Sequence, residues 1–138
     1  MRRRAWSAPE PGDIVWCRFP EGPRDQPGPK PRPALVLAVS EFEDGVTVQA
    51  AYGTSQKLDR LASGEFAIRK LEHGAAYAMA GLSFDSKFDL RHTLELPWIE
   101  PFFAVPPDPR HGQHPKMGSL HIGMKKAVEA ALRVARAR

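Results

Sequence analysis

The chain reads as a mainly β domain, a small barrel or sandwich with one amphipathic helix at its C-terminal end. Three observations predict this. Between two proline-rich stretches, apolar residues recur mostly at every second position, the period of a strand. The candidate strands are short and separated by turn residues, as in small all-β domains. Only the C-terminal stretch repeats at three- and four-residue spacing.

The elements follow in order. Pro11-Gly12 opens a strand over 13–19, Asp-Ile-Val-Trp-Cys-Arg-Phe. Residues 34–39 are a short, wholly apolar run, which predicts a strand buried on both faces. Glu43-Asp44-Gly45 is a turn, since Asp-Gly tolerates positive φ. Residues 46–52 then pair back as the hairpin partner. A fourth strand over 65–68 follows Ser63-Gly64, and 88–96 and 102–105 read as two more. At the end, Ser119 is placed to cap a helix. Leu120, Met124, Ala127, Ala131 and Val134 form its apolar side. Lys125, Lys126, Glu129, Arg133 and Arg136 take the other. Gly123 weakens the first turn by about 1 kcal/mol relative to Ala. The helix is expected to cover an open face of the barrel.

The prolines divide the chain. Six of the 14 lie between Pro20 and Pro33, with Gly22 and Gly28. That segment cannot be helical and cannot complete a sheet ladder, so it is a long, stiff loop. Pro106, Pro107, Pro109 and Pro115 mark a second loop, which carries His111 and His114. The pieces outside these loops are too short to fold alone. The expected organisation is a basic, mobile extension over 1–10 and a single domain over 11–138.

Composition narrows the function. Cys17 is the single cysteine, which excludes a disulfide framework or a zinc finger and suits a reducing compartment. No apolar run approaches the ~18 residues that span a bilayer. Met1-Arg2-Arg3-Arg4 is not followed by the apolar stretch of a signal peptide. A cytoplasmic location without a membrane partner is the expectation. The net charge is +4 and concentrated at the ends: Lys116, Lys125, Lys126, Arg133, Arg136 and Arg138 face one acid, Glu129, over 116–138. Basic ends fit nucleic-acid binding and fit solvated termini equally well.

Several enzyme signatures are absent, among them Gly-x-Ser-x-Gly, a glycine-rich phosphate loop and His-Glu-x-x-His. His111-Gly-Gln-His114, with Asp108 nearby, has a spacing that can chelate a metal, but a mobile Pro/Gly loop is the simpler reading. Asp85 and Asp89 flank Lys87. They read as turn residues with a local ion pair rather than metal ligands.

One pattern carries more. The first loop ends in Lys30-Pro31-Arg32-Pro33, directly before the buried strand. The partner strand ends in Tyr52-Gly53-Thr54-Ser55-Gln56. Antiparallel pairing would bring Arg32 and Thr54 to the same open end. An arginine beside small hydroxyls and free backbone N–H groups suits a phosphate. A capping arginine and an ordinary Ser/Thr turn would use the same residues.

These blocks resemble the PemK/MazF family of toxins. Pro11-Gly12-Asp13-Ile14-Val15-Trp16, Arg32-Pro33-Ala34-Leu35-Val36-Leu37 and Gly53-Thr54-Ser55-Gln56 occur in the family's order and spacing. Gly81-Leu82 with Lys87-Phe88-Asp89-Leu90, and Gly118-Ser119-Leu120 before the helix, resemble later blocks more loosely. The resemblance implies a strongly curved antiparallel SH3-like barrel of the MazF/CcdB type. It implies a metal-independent endoribonuclease with no cofactor, in which a ribose 2′-OH attacks the adjacent phosphorus of single-stranded RNA. The products would be a 2′,3′-cyclic phosphate and a 5′-OH. The family's catalytic positions fall on Arg32 and Thr54, with RNA contacts at Ser55, Gln56, Gln26, Lys30 and Lys87. Tyr52 or Trp16 would offer a base a stacking surface, although Trp16 is expected in the core. The implied partners are RNA, an antitoxin and a second copy in a homodimer.

Arginine is a poor base near neutral pH, and no histidine is placed in the site by sequence. Other functions compete: binding of a protein target, as in gyrase-binding toxins of the CcdB type, RNA binding without cleavage, and metal-dependent cleavage through Asp85, Asp89 or the histidines.

Overall fold

The structure, a computed structural model, describes residues 6–137. Its strands are β1 (Asp13–Cys17), β2 (Arg32–Phe42), β3 (Gly45–Thr54), β4 (Glu65–Ile68), β5 (Ser86–Pro97) and β6 (Lys116–Ser119). A short helix, α1 (Gly74–Ala80), precedes β5, and α2 (Lys125–Arg136) ends the described chain. The strands form one antiparallel sheet in the order β4-β5-β3-β2-β1-β6.

Alternation along the strands sorts the core into two apolar clusters, one on each face. Ile14, Leu35, Ala51, Phe88 and Leu90 join one, together with Ala76, Ala80, Met124 and Ala131 of the helical segments. Val15, Cys17, Ala34, Val36, Val48 and Leu96 join the other, with Phe19, Trp98, Phe102 and Phe103. The apolar run in β2 follows from this over 34–37, where neighbours in sequence enter opposite clusters; Ala38, expected in the buried strand, is exposed beside the register shift.

The register shifts between Val36 and Ala38 in β2 and between Ala51 and Tyr52 in β3. At the second shift β5 skips from Thr93 to Asp89, leaving Leu90, Arg91 and His92 out of the ladder. Such irregularities bend the strands that carry them. The mainly β, antiparallel fold with a C-terminal helix is thus present, but the sheet does not close into a ring: β4 and β6 are its edges.

Other expectations need correcting. Residues 102–105 are not a strand; they touch β1 through one bridge, Cys17 with Phe103, and two flanking hydrogen bonds. Prolines 101, 106 and 107 flank it and cannot donate, so the ladder does not extend in either direction. Ser119 does not cap the helix but ends β6 opposite Asp13. The helix starts at Lys125 after a 3₁₀ turn over Ile122–Met124. Its inner face is Met124, Val128, Ala131, Leu132 and Ala135, while Ala127 is exposed. Of the extension expected over 1–10, residues 1–5 lie outside the described residues. Trp6 to Glu10 are tied down: Trp6 packs edge-on against Trp98 with ring centroids 5.9 Å apart. The Trp98 indole N–H donates to the Ser7 carbonyl at 3.0 Å.

Candidate functional site

The β2–β3 hairpin turns tightly at Glu43-Asp44, where Phe42 pairs with Gly45. At its other end Ala34 pairs with Tyr52, so Arg32 and Thr54 follow two residues beyond on adjacent strands. The register therefore does what the sequence pattern requires. Gly53 permits the closure: a Cβ there would run into the Pro33 carbonyl oxygen and come within 2.8 Å of the Phe88 ring.

A cavity of about 420 Å³ opens at this end. Lys30, Arg32, Thr54, Ser55 and Gln56 line it, so five of the seven expected site residues share one space. Trp16 lines it too and is half-buried, which corrects its assignment to the core. Phe84, 71% exposed, offers a second aromatic surface. The far wall is Pro106, Pro107, Asp108 and His111 from the second proline-rich loop.

The electrostatics centre on Arg32. Its side chain is 23% exposed, and one guanidinium nitrogen, Nη2, lies 3.7 Å from Glu21 Oε2 of the first loop. Its Cζ stands 5.9 Å from the Tyr52 ring centroid, at the outer limit of a cation–π contact. Its Nε is buried and has no hydrogen-bond partner among the described residues. A buried, unmade hydrogen bond to a charged donor is costly. The guanidinium thus has one long ion pair, to Glu21, and an Nε left unbonded. Across the hairpin, Thr54 Oγ1 accepts from the Gln56 backbone N–H at 3.1 Å, the Ser/Thr turn geometry. That uses the oxygen as acceptor and leaves its hydroxyl proton available to donate. Ser55 and Gln56 are exposed.

The other two expected RNA contacts lie elsewhere. Lys87 faces Thr54 in the β3–β5 register, but its side chain is buried. Its Nζ donates to Glu65 Oε1 at 3.1 Å and to the Arg60 carbonyl at 2.9 Å. These bonds engage its charge. Gln26 is exposed in the first loop and does not line the cavity. Tyr52 sits behind Arg32, packed on Phe19 and His92 rather than open to the cavity.

The local ion pair expected around Lys87 is also absent. Asp85 Oδ1 accepts from the Lys70 backbone N–H at 2.8 Å, and Asp89 holds Arg91 through both carboxylate oxygens. His111 and His114 share a second cavity with Glu10 and Asp13 but differ in their other contacts. His114 Nε2 is 3.0 Å from the Ser7 carbonyl, whereas His111 also reaches the Arg32 cavity. Among the described residues no three His, Cys, Asp or Glu side chains are grouped to hold a metal.

Sequence reasoning left the far wall unassigned. A signal for it exists: Asp108-Pro109 is an N-cap followed by proline at the first position. There the Asp108 carboxylate accepts from the Arg110 backbone N–H at 3.0 Å, which holds its pKa below the ordinary carboxylate value. On β1, burial pushes the Cys17 thiol far above its usual range, so it is inert packing.

No curated protein matches the chain. A family model described as PemK-like, MazF-like toxin of type II toxin-antitoxin system matches residues 10–92. The match covers more than half of the chain and includes Arg32 and Thr54, while the far wall with His111 lies beyond it. The chain belongs to the PemK/MazF family of toxins of type II toxin-antitoxin systems.

Proposed function

We propose that this toxin is an endoribonuclease that cuts single-stranded RNA by internal attack of a ribose 2′-OH, without a metal ion. The observation that carries this reading is Arg32: a guanidinium on the cavity wall, 23% exposed, that shares the cavity with the Thr54 hydroxyl. A phosphodiester in the cavity would meet the exposed edge of this guanidinium, whose ion pair with Glu21 is long at 3.7 Å. As the 2′-oxygen adds to phosphorus, negative charge grows on the non-bridging oxygens, and Arg32 and Thr54 donate to them. Fixed donors of this kind favour the phosphorane more than the ground state, which is what lowers the barrier. Trp16 and Phe84 give flanking bases apolar faces to stack on, and Lys30 adds charge at the rim. Gln56 and Ser55 are positioned to meet a base edge or a sugar.

Membership of a toxin-antitoxin family implies an antitoxin partner. In this reading the chain acts in the cytoplasm as a homodimer, and the antitoxin silences it by covering the Arg32 cavity.

The test is an RNA oligonucleotide cut at one mapped position in EDTA, compared with the same oligonucleotide carrying a single 2′-deoxy residue there. Cleavage of the first, with a 2′,3′-cyclic phosphate and a 5′-OH, and none of the second is the expected result. Equal cleavage of both would eliminate the 2′-OH mechanism.

A further inference from the structure

The 2′-OH must lose a proton as it attacks, and the reading above names no group to take it. Arg32 cannot, because a guanidinium stays protonated near neutral pH. Of the residues lining the cavity, Asp108 is engaged by Arg110 through both carboxylate oxygens, which leaves His111 as the group with the chemistry of a base near neutrality.

His111 is held there by a short, well-tied turn. Asp108 caps the 3₁₀ helix Pro109–His111, accepting from the Arg110 backbone N–H at 3.0 Å and from Arg110 Nε at 2.8 Å. The His111 backbone N–H donates to the Asp108 carbonyl at 3.1 Å. The ring lies over Gly81, which ends α1 with a φ of 71°. A Cβ at Gly81 would run into the Met117 carbonyl and stand 3.0 Å from His111 Cε1, so both that backbone and the ring pack closely on this glycine.

The other histidines are differently employed. His73, His114 and His121 each accept a backbone N–H through Nδ1, from Arg69, Lys116 and Gly123. His92 packs against Tyr52 and Phe19. His111 alone lines the Arg32 cavity, and its ring nitrogens make no hydrogen bond among the described residues.

The geometry points to His111 as the general base of the cleavage reaction, a role that rests on the endoribonuclease reading. The 2′-OH proton passes to a ring nitrogen of His111 as the O2′–P bond forms. The P–O5′ bond breaks, and the departing oxygen, stabilised by Arg32, takes a proton from water. The imidazolium then returns its proton to the hydroxide left behind. The charged and titratable groups around His111 are Asp108 and Arg110 on its own turn, His114 and Lys116 beyond it, and Glu10 and Asp13 on its other side. Arg32 and Lys30 face it across the cavity, and Tyr77 belongs to the helix that Gly81 ends.

The experiment is the pH dependence of kcat/KM for the full chain on a single-site RNA oligonucleotide in EDTA, with H111Q and H111A alongside. For the wild type, kcat/KM should rise with pH through one ionisation and then level. H111Q should fall by roughly 10²–10⁴-fold and lose that ionisation. Added imidazole should restore part of the H111A rate, a rescue that a purely structural defect would not show. RNA affinity and thermal unfolding of H111Q should stay near wild type. A wild type that cuts while H111Q keeps both rate and pH profile overturns His111 as base and leaves the endoribonuclease standing. A folded wild type that cuts no RNA overturns both.

Discussion

The β2–β3 hairpin and the segment over 98–119 reach the same cavity but are held there by different means. The hairpin carries paired backbone bonds along its length, and its inner residues enter both apolar clusters. The second segment is fastened at separate points. Trp98 is buried, Phe103 bridges Cys17, the Asp108 turn is self-contained, and β6 pairs over a few residues with β1. The hairpin thus supplies Arg32 and Thr54 from a rigid frame, while the segment supplies His111 from a tethered wall. Groups that meet in one site need not share one kind of support.

The largest effect should come from the hairpin body. Leu35→Ala, 1% exposed, should lower unfolding stability by roughly 2–5 kcal/mol in denaturant titration. Leu37→Ala, only partly buried, should cost clearly less. Equal losses would mean that Leu37 is buried as fully as Leu35, against the exposures described. At the open end the balance reverses. Arg32→Ala should lower cleavage by roughly 10²–10³-fold, as loss of a fixed donor does. It should change the melting temperature little, because its ion pair with Glu21 is long and partly exposed.

Two smaller effects sharpen the contrast. In the tethered segment, Trp98→Phe loses the donation to Ser7 and part of a buried ring, for roughly 1–3 kcal/mol of stability. A loss no different from that of an exposed control such as Phe42→Ala would show that this tether contributes nothing. Thr54→Val removes one donor and should slow cleavage by about 0.5–1.5 kcal/mol in the barrier, with stability kept. The smallest expected signal is chemical. Cys17 should resist alkylation in the native protein and react only on unfolding, since burial disfavours its thiolate.

How much of this was legible follows from the same contrast. The apolar run at 34–39, the Asp44-Gly45 turn and the returning strand are strong local signals, and they fix where Arg32 and Thr54 meet. Strand β4 was readable at Glu65–Ile68 because Ser63-Gly64 opens it and Phe66 and Ile68 favour a strand. Helix α1 was not, since seven residues with Ala76 and Ala80 as its buried positions give no resolvable period. Strand β6, Lys-Met-Gly-Ser, has little β-propensity and exists through its pairing with β1. Lys87 shows the limit within the site itself. It was expected to contact RNA, but its side chain is buried and engaged by Glu65 across the sheet edge. His111 reaches the cavity through tertiary packing over Gly81, which no local pattern encodes.

The central claim is that the Arg32 end of the hairpin is where the RNA phosphodiester reacts. The direct measurement is incubation of wild type and Arg32→Ala with a long, weakly structured RNA in EDTA, with cut sites mapped by primer extension and 5′ ends tested. Discrete cuts bearing 5′-OH from the wild type, and none from an equally folded Arg32→Ala, are the predicted result. Cuts at the same sites and rate from Arg32→Ala would contradict the account.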